Sequence, residues 1–371
     1  RILPRHIFEQ VEDPLSFQFN PPVGTGPYKL LDYDVAGYWF LYELREDWER
    51  TAVGQMYGKP APQYVKFIHY GDASKKAMAM ISHELDMADL TPESLEVVLS
   101  RNEYASGYYE DFPWAELLHP CVTGAAFNTL VPPFDNPEVR WALNLALDAK
   151  NLALTAYNGA VAFAPAYIPA LLPYYEHYYE RLLPYLEEYT LEIDGEEYKI
   201  FNSNLPFEMA EEARRRGYEV PETEEEIRIM FGYGWWKHSP ELAEKLLLKN
   251  GFTRGRDGKW RLPDGTPWKI EIVCLTAATN PSFKWAFAIA NQWSAFGIDC
   301  EAIPTEIVES LTETGDYQVV GGQPAAEPFG AGIDLYRGLN VFHSKYWKPL
   351  GEKLVGHQTR WVNEEIDYFI D

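Results

Sequence analysis

Apolar positions along this chain switch between a period of two and a period near 3.6, and the switches mark its elements. Residues 28–31 and 38–44 read as strands joined by a loop over 32–37, and 64–70 as a third strand. Residues 45–62 read as polar loop. A helix is expected over 73–82, then a short buried strand at 85–88 and a strand at 124–128. Val139, Ala142, Leu143, Ala146 and Leu147 recur at helical spacing, with Asp135 or Asn136 as cap, Pro137 in the first helical position and Glu138 at the positive helix end. Residues 151–185, rich in Ala, Pro and Tyr, predict an irregular wall with short helices, and 191–200 a hairpin turning at Asp194-Gly195. Charged surface helices follow over 208–216 and 222–230. A helix from Ser239 stops at Gly251, and strands flank Asp257-Gly258 and Asp264-Gly265. A core strand over 270–275, a long helix over 283–296 and a strand over 298–303 close the pattern. Strand and helix alternate after residue 240, which predicts a mixed α/β body with partly parallel pairing.

Composition narrows the function. The chain has 371 residues, 46% hydrophobic and 24% charged, enough for a sizeable core and two lobes. A net charge of -24 argues against nucleic acid or an anionic membrane surface as partner. Cys121, Cys274 and Cys300 are widely spaced and form no metal motif; the last two sit in apolar strand-like runs and read as core. No apolar run of about 18 residues is present. The eight histidines are scattered, and GxSxG, HExxH and P-loop patterns are all missing. The chain is therefore expected not to be an enzyme and to need no cofactor and no metal. Aromatic residues are abundant, with 12 Trp, 25 Tyr and 19 Phe. Their faces stack well on sugar rings or peptide side chains.

The run Phe127-Asn128-Thr129-Leu130-Val131-Pro132-Pro133-Phe134-Asp135-Asn136-Pro137-Glu138-Val139-Arg140-Trp141-Ala142-Leu143 resembles a signature of extracytoplasmic solute-binding proteins of the oligopeptide/dipeptide type, solute-binding family 5. Further stretches carry the same resemblance in order: Gly24-Thr25-Gly26-Pro27-Tyr28, His83-Glu84-Leu85-Asp86-Met87-Ala88, Lys249-Asn250-Gly251-Phe252 with Leu262-Pro263-Asp264-Gly265-Thr266-Pro267-Trp268, and Asn291-Gln292-Trp293. The resemblance implies an α/β, periplasmic-binding-protein-like two-lobe fold of type II with mixed sheets. Residues 1–120 would form part of the first lobe and 121–371 the second, incomplete at its C-terminus. It also implies a fragment of a longer chain, a periplasmic or extracellular location with a lipid anchor as one form of attachment, and a monomer that delivers solute to a membrane ABC permease.

Candidate binding residues follow. Phe127 and Asn128 end the strand that faces the cleft in the family. Tyr233, Trp235 and Trp236 lie in the loop Phe231-Gly232-Tyr233-Gly234-Trp235-Trp236, whose glycines leave aromatic side chains free to reach a ligand. In peptide-binding relatives a Trp and an Asp end a late strand, and the Asp anchors the peptide amine. Here Glu327 falls near the Asp position, no Trp precedes it, and Gln323 and Pro324 stand in that region. A neutral Gln among aromatics suits hydroxyl groups better than a charged amine. The expected solute is thus a short oligosaccharide, cellobiose- or mannobiose-like, with an oligopeptide or dipeptide as the alternative. A secreted glycan hydrolase is the rival from another class.

Overall fold

Backbone pairing and burial divide the chain into two compact units, residues 1–71 and 72–371. They were traced in a computed structural model, which describes residues 4–13, 17, 20, 22–114, 123–168, 170–171, 174–277, 280–322, 339–340, 342–354 and 359–371. In the first unit, β1 (Tyr28–Tyr33), β2 (Trp39–Leu44) and β3 (Tyr64–Ile68) form an antiparallel sheet in that order. The Gly24–Tyr28 turn is held from outside. Arg45 donates from Nη1 to the Gly24 carbonyl at 3.1 Å, while its Nε and Nη2 grip Asp47 at 2.8 and 2.9 Å. The expected loop over 45–62 contains a helix, Ala52–Tyr57, whose cap is Thr51 accepting from Gly54 N.

The second unit begins with α1 (Ala73–Ile81) and α2 (Pro92–Arg101). The strand expected at 85–88 does not form. His83 takes a left-handed conformation at φ 59°, Glu84 N closes on the Ala79 carbonyl at 2.8 Å, and the chain leaves the helix without a ladder partner. Met87 is consequently 84% exposed. Helix α2 was not expected, although Thr91-Pro92-Glu93 carries its start signal: Thr91 Oγ1 accepts from Ser94 N and Pro92 opens the first turn.

The centre of this unit is a four-stranded sheet. Its strands are β4 (Gly124–Phe127), β5 (Lys269–Cys274), β6 (Asp299–Pro304) and β7 (Val319–Gly322), in the spatial order β6-β5-β7-β4. β5 runs parallel to both neighbours, with Ile272 opposite Ala302 on one side and Val319 on the other. β4 closes the edge antiparallel, Phe127 against Val319 and Gly124 against Gly322. Alternation along β5 sends Ile270, Ile272 and Cys274 into the main core and Val273 into a smaller one with Ala126, Tyr317 and Val320. The other face of β5 starts with the half-exposed, mutually paired Lys269 and Glu271 and becomes apolar only at Val273.

Four helices fill the main core's far side or border it: α3 (Pro137–Leu145), α4 (Ala149–Tyr157), α7 (Pro240–Lys249) and α8 (Pro281–Ala295), with α5 (Leu205–Arg215) and α6 (Glu224–Phe231) between them in sequence. Helix α5, expected as a charged surface helix, buries Met209, Ala210 and Ala213, and with them Glu212, which pairs with Arg215 and Arg216. The signature stretches meet here. Asn136 caps α3 through Glu138 N and donates to Asn250 Oδ1 at 2.6 Å; Asn250 donates in turn to Glu138 at 2.8 Å. Trp293 of α8, 1% exposed, donates from Nε1 to the Leu143 carbonyl at 2.9 Å, and its ring lies 6.1 Å from Phe127. Gln292 spans the Asp148 peptide, accepting from its N–H at 2.7 Å and donating to its carbonyl at 3.2 Å.

Replacing Trp293 with Phe removes both a buried hydrogen bond and ring volume. We expect a loss of about 2–3 kcal/mol in urea unfolding. An unchanged midpoint would show that α8 is not pinned to α3 through this indole.

Candidate functional site

In an open α/β sheet the loops after the parallel strands gather at one edge, and ligands bind outside it. Here that edge is formed by the ends of β5, β6 and β7, at Cys274, Pro304 and Gly322, with Gly124 of β4 beside Gly322. The N-terminus of α8 stands at the same edge. Asn280 caps it by accepting from Ser282 N at 2.9 Å, and Ser282 Oγ accepts from Leu275 N at 3.1 Å. Gly321 and Gly322 press on this first turn. A Cβ at Gly321 would lie 2.9 Å from Ala286 Cβ, and Gly322 has a φ of +138° and faces Ser282. Only glycine allows β7 to leave the sheet along that path. Thr276 and Glu306, from the loops after β5 and β6, are joined by a short hydrogen bond. Leu275 and Ile307, next to Thr276 and Glu306 in those loops, are exposed, as is Phe287 on α8.

The nominated residues fall in three places. Phe127 and Asn128 lie at the opposite end of the sheet, because β4 is antiparallel to β7. Phe127 stacks 5.3 Å from Phe134. Asn128 is fully buried. Its Nδ2 donates to the Gly315 and Tyr317 carbonyls at 2.9 and 3.1 Å, and its Oδ1 accepts from Leu130 N at 3.2 Å. That amide is spent on closing the turn after β4.

Tyr233, Trp235 and Trp236 lie in a loop that is pinned, not loose. Gly232, at φ +85°, ends α6 so close to Phe163 that a Cβ would come within 2.1 Å of its carbonyl oxygen. Trp235–Trp236 then forms a two-residue ladder with Phe201–Asn202. Trp236 packs edge-on to Trp141 at 4.8 Å and also meets Tyr189 and Phe201. Trp235 is half-buried against the cluster of Phe112, Leu205 and Phe231. Tyr233 is 1% exposed between Tyr179 and Tyr175, at 4.4 and 5.3 Å, and its hydroxyl has no hydrogen-bond partner among the described residues. Burial, reinforced by Tyr175 and opposed by Arg228, pushes this phenol up to about 12. Gln323 and Glu327 lie outside the described residues, as does Cys121. Edge residues such as Ser282, Thr276 and Glu306 were missed in the sequence; their signal was the strand–helix–strand alternation, which fixes where such loops must gather.

The sequence model of the bacterial extracellular solute-binding proteins, family 5 (middle), matches residues 2–338. The chain belongs to this family. The family-5 chain is 32% identical over 152 residues to the probable ABC transporter periplasmic-binding protein SapA of Escherichia coli (strain K12), covering 40% of this chain and 24% of that protein. It is 25% identical over 153 residues to the glutathione-binding protein GsiB of Pectobacterium atrosepticum, covering 41% and 27%. A periplasmic oligopeptide-binding protein of Thermotoga maritima, crystallised with mannohexaose, superposes at a TM-score of 0.71 with 20% identity, over 100% of this chain and 59% of that one. The oligopeptide-binding protein AppA of Bacillus subtilis, in complex with a nonapeptide, gives 0.62 with 16% identity over 100% and 59%. These likenesses show the oligopeptide-binding type of periplasmic fold. The matched region spans about a quarter of the curated relatives' length.

Two thiols of the family-5 sheet are chemically quiet. Burial pushes Cys274 up to about 11, and burial with the neighbouring Asp299 and Glu301 charges pushes Cys300 up to about 12. The folded state therefore keeps protons that the unfolded chain loses above its ordinary thiol pKa, and stability falls as pH rises through that range. At mildly alkaline pH, iodoacetamide is expected to leave both cysteines unmodified in the folded protein and to label both in concentrated urea, as read by peptide mass spectrometry. Rapid labelling of Cys274 in the folded protein would contradict the burial.

Proposed function

We propose that this chain is part of the extracellular or periplasmic solute-binding subunit of an ABC importer, and that it holds a short oligosaccharide for delivery, unaltered, to the permease. The family match over residues 2–338 carries the carrier role. The carboxyl edge of the four-stranded sheet is the proposed seat of the solute, flanked by the exposed Leu275, Phe287 and Ile307 and by the polar Thr276. Trp235 and Tyr233 of the pinned loop, and Gln323 and Glu327 beyond β7, remain proposed ligand contacts. Binding selects the closed population through differential affinity for that state.

The sugar reading is supported by the departure at residues 323–327 and by the mannohexaose seen in the Thermotoga maritima structure. A peptide is the second reading, favoured by the peptide-binding names of several relatives and by the nonapeptide in AppA. Against a hydrolase, a neighbourhood of serine, histidine and aspartate among the described residues has its imidazole committed. His343 faces Asp367 at 3.3 Å and Asp371 at 3.2 Å, accepts from Lys345 N, and Ser344 Oγ bonds to Asp367. That arrangement fastens residues 343–347 to the C-terminal helix instead of activating the serine.

Thermal unfolding across a panel of manno- and cello-oligosaccharides and di-, tri- and nonapeptides tests the proposal. A true ligand at about a hundred times its Kd adds ~2.7 kcal/mol of stability. Stabilisation by the mannose or glucose oligomers, with the sugar recovered intact, is expected. Stabilisation by peptides alone would replace the sugar reading, and cleavage products would end the carrier reading.

A further inference from the structure

A second polar cluster lies one helical turn beyond the α8 cap. Lys284 reaches back to Glu93 on the first turn of α2, with Nζ 3.3 and 3.1 Å from its two carboxylate oxygens. The same ammonium stands 5.5 Å from the centre of the Tyr157 ring, at the end of α4, and Trp285 packs on that ring at 5.4 Å. Lys284 is only 18% exposed. Burial would raise the Glu93 acid, but hydrogen bonds from Thr91, its own backbone and Lys284 outweigh it and hold the group below its ordinary value. The two groups form an ion pair.

The Tyr157 hydroxyl is different. It is shielded from solvent and has no hydrogen-bond partner among the described residues. Burial, with the Glu93 charge adding to it, keeps the phenol protonated. Buried polar atoms in native proteins nearly always find a partner, and leaving one without costs stability. The cluster is also well placed. Lys284 stands about one turn in from the N-terminus of α8, which lies at the carboxyl edge of the sheet. What the cluster offers is one uncharged group able both to donate and to accept, beside an aromatic wall. A charged solute group would first have to break the Lys284–Glu93 pair.

We infer that Tyr157 Oη, with its ring set by Lys284, Glu93 and Trp285, is a subsite that takes one neutral hydroxyl or amide of the bound solute. This rests on the carrier reading above. Its test is Tyr157→Phe, compared with the unsubstituted protein for thermal midpoint and for calorimetric affinity toward mannohexaose and trialanine. Removing an unsatisfied hydroxyl is expected to raise the midpoint, while affinity for the bound probe falls about tenfold, the worth of one hydrogen bond near 1.4 kcal/mol. Loss confined to mannohexaose makes the recognised group a sugar hydroxyl; loss confined to trialanine makes it a peptide amide. A lowered midpoint would reveal an internal partner for the hydroxyl and overturn the inference. Equal affinity in the two proteins would overturn it as well and leave the carrier reading standing. If the unsubstituted protein binds neither probe, the carrier reading fails and the subsite falls with it.

Discussion

The indole of Trp293 is the joint on which the second unit depends. It lies between the sheet and α3, donates to the Leu143 carbonyl inside the core and packs toward Phe127 at the end of β4. Through it the crossover helix α8 is fixed against both the sheet it connects and the helix that follows β4. Gln292, one residue earlier, secures the chain where α3 gives way to α4. With α8 fixed in this way, its N-terminus can arrive only at the carboxyl edge, where Ser282 meets Leu275 and the Gly321-Gly322 exit. The candidate site is a consequence of that geometry.

The same joint explains why the family was legible in the sequence. The stretches that carry the resemblance bind one another: Asn136 and Glu138 to Asn250, and Trp293 to Leu143. Trp260 donates to the Phe296 carbonyl, and Trp268 packs 4.7 Å from Phe252. These are scaffold contacts, each needing a particular polar atom or ring at a particular place. They identify the frame and say nothing about the solute. Strand β5, helix α8 and strand β6 were readable for a related reason. Their apolar spacing is set by burial on two faces or one, and that spacing survives in the sequence.

What was not legible depends on partners far away in the chain. The segment 85–88 has strand-like composition but no neighbour to pair with. The glycines of the aromatic loop suggested freedom, yet Gly232 and Gly234 are required because Phe163 and Asn202 approach too closely for any side chain. Asn128 offered an amide at a strand end, and the fold consumes it in the adjoining turn. The Lys284–Glu93 pair joins residues 191 apart, and the Tyr157 hydroxyl stands out only once every neighbour is in place. Pattern reading finds faces and caps; it does not find which polar atoms are left over.

The central claim is that solute is gripped at the carboxyl edge of the four-stranded sheet. Hydrogen exchange, with and without mannohexaose or a nonapeptide, addresses it most directly. The account predicts added protection in residues 275–287, at 305–308 and in the chain following Gly322, with none at 127–130. Protection confined to the Phe127–Asn128 end, or none anywhere with a ligand that demonstrably binds, would contradict it.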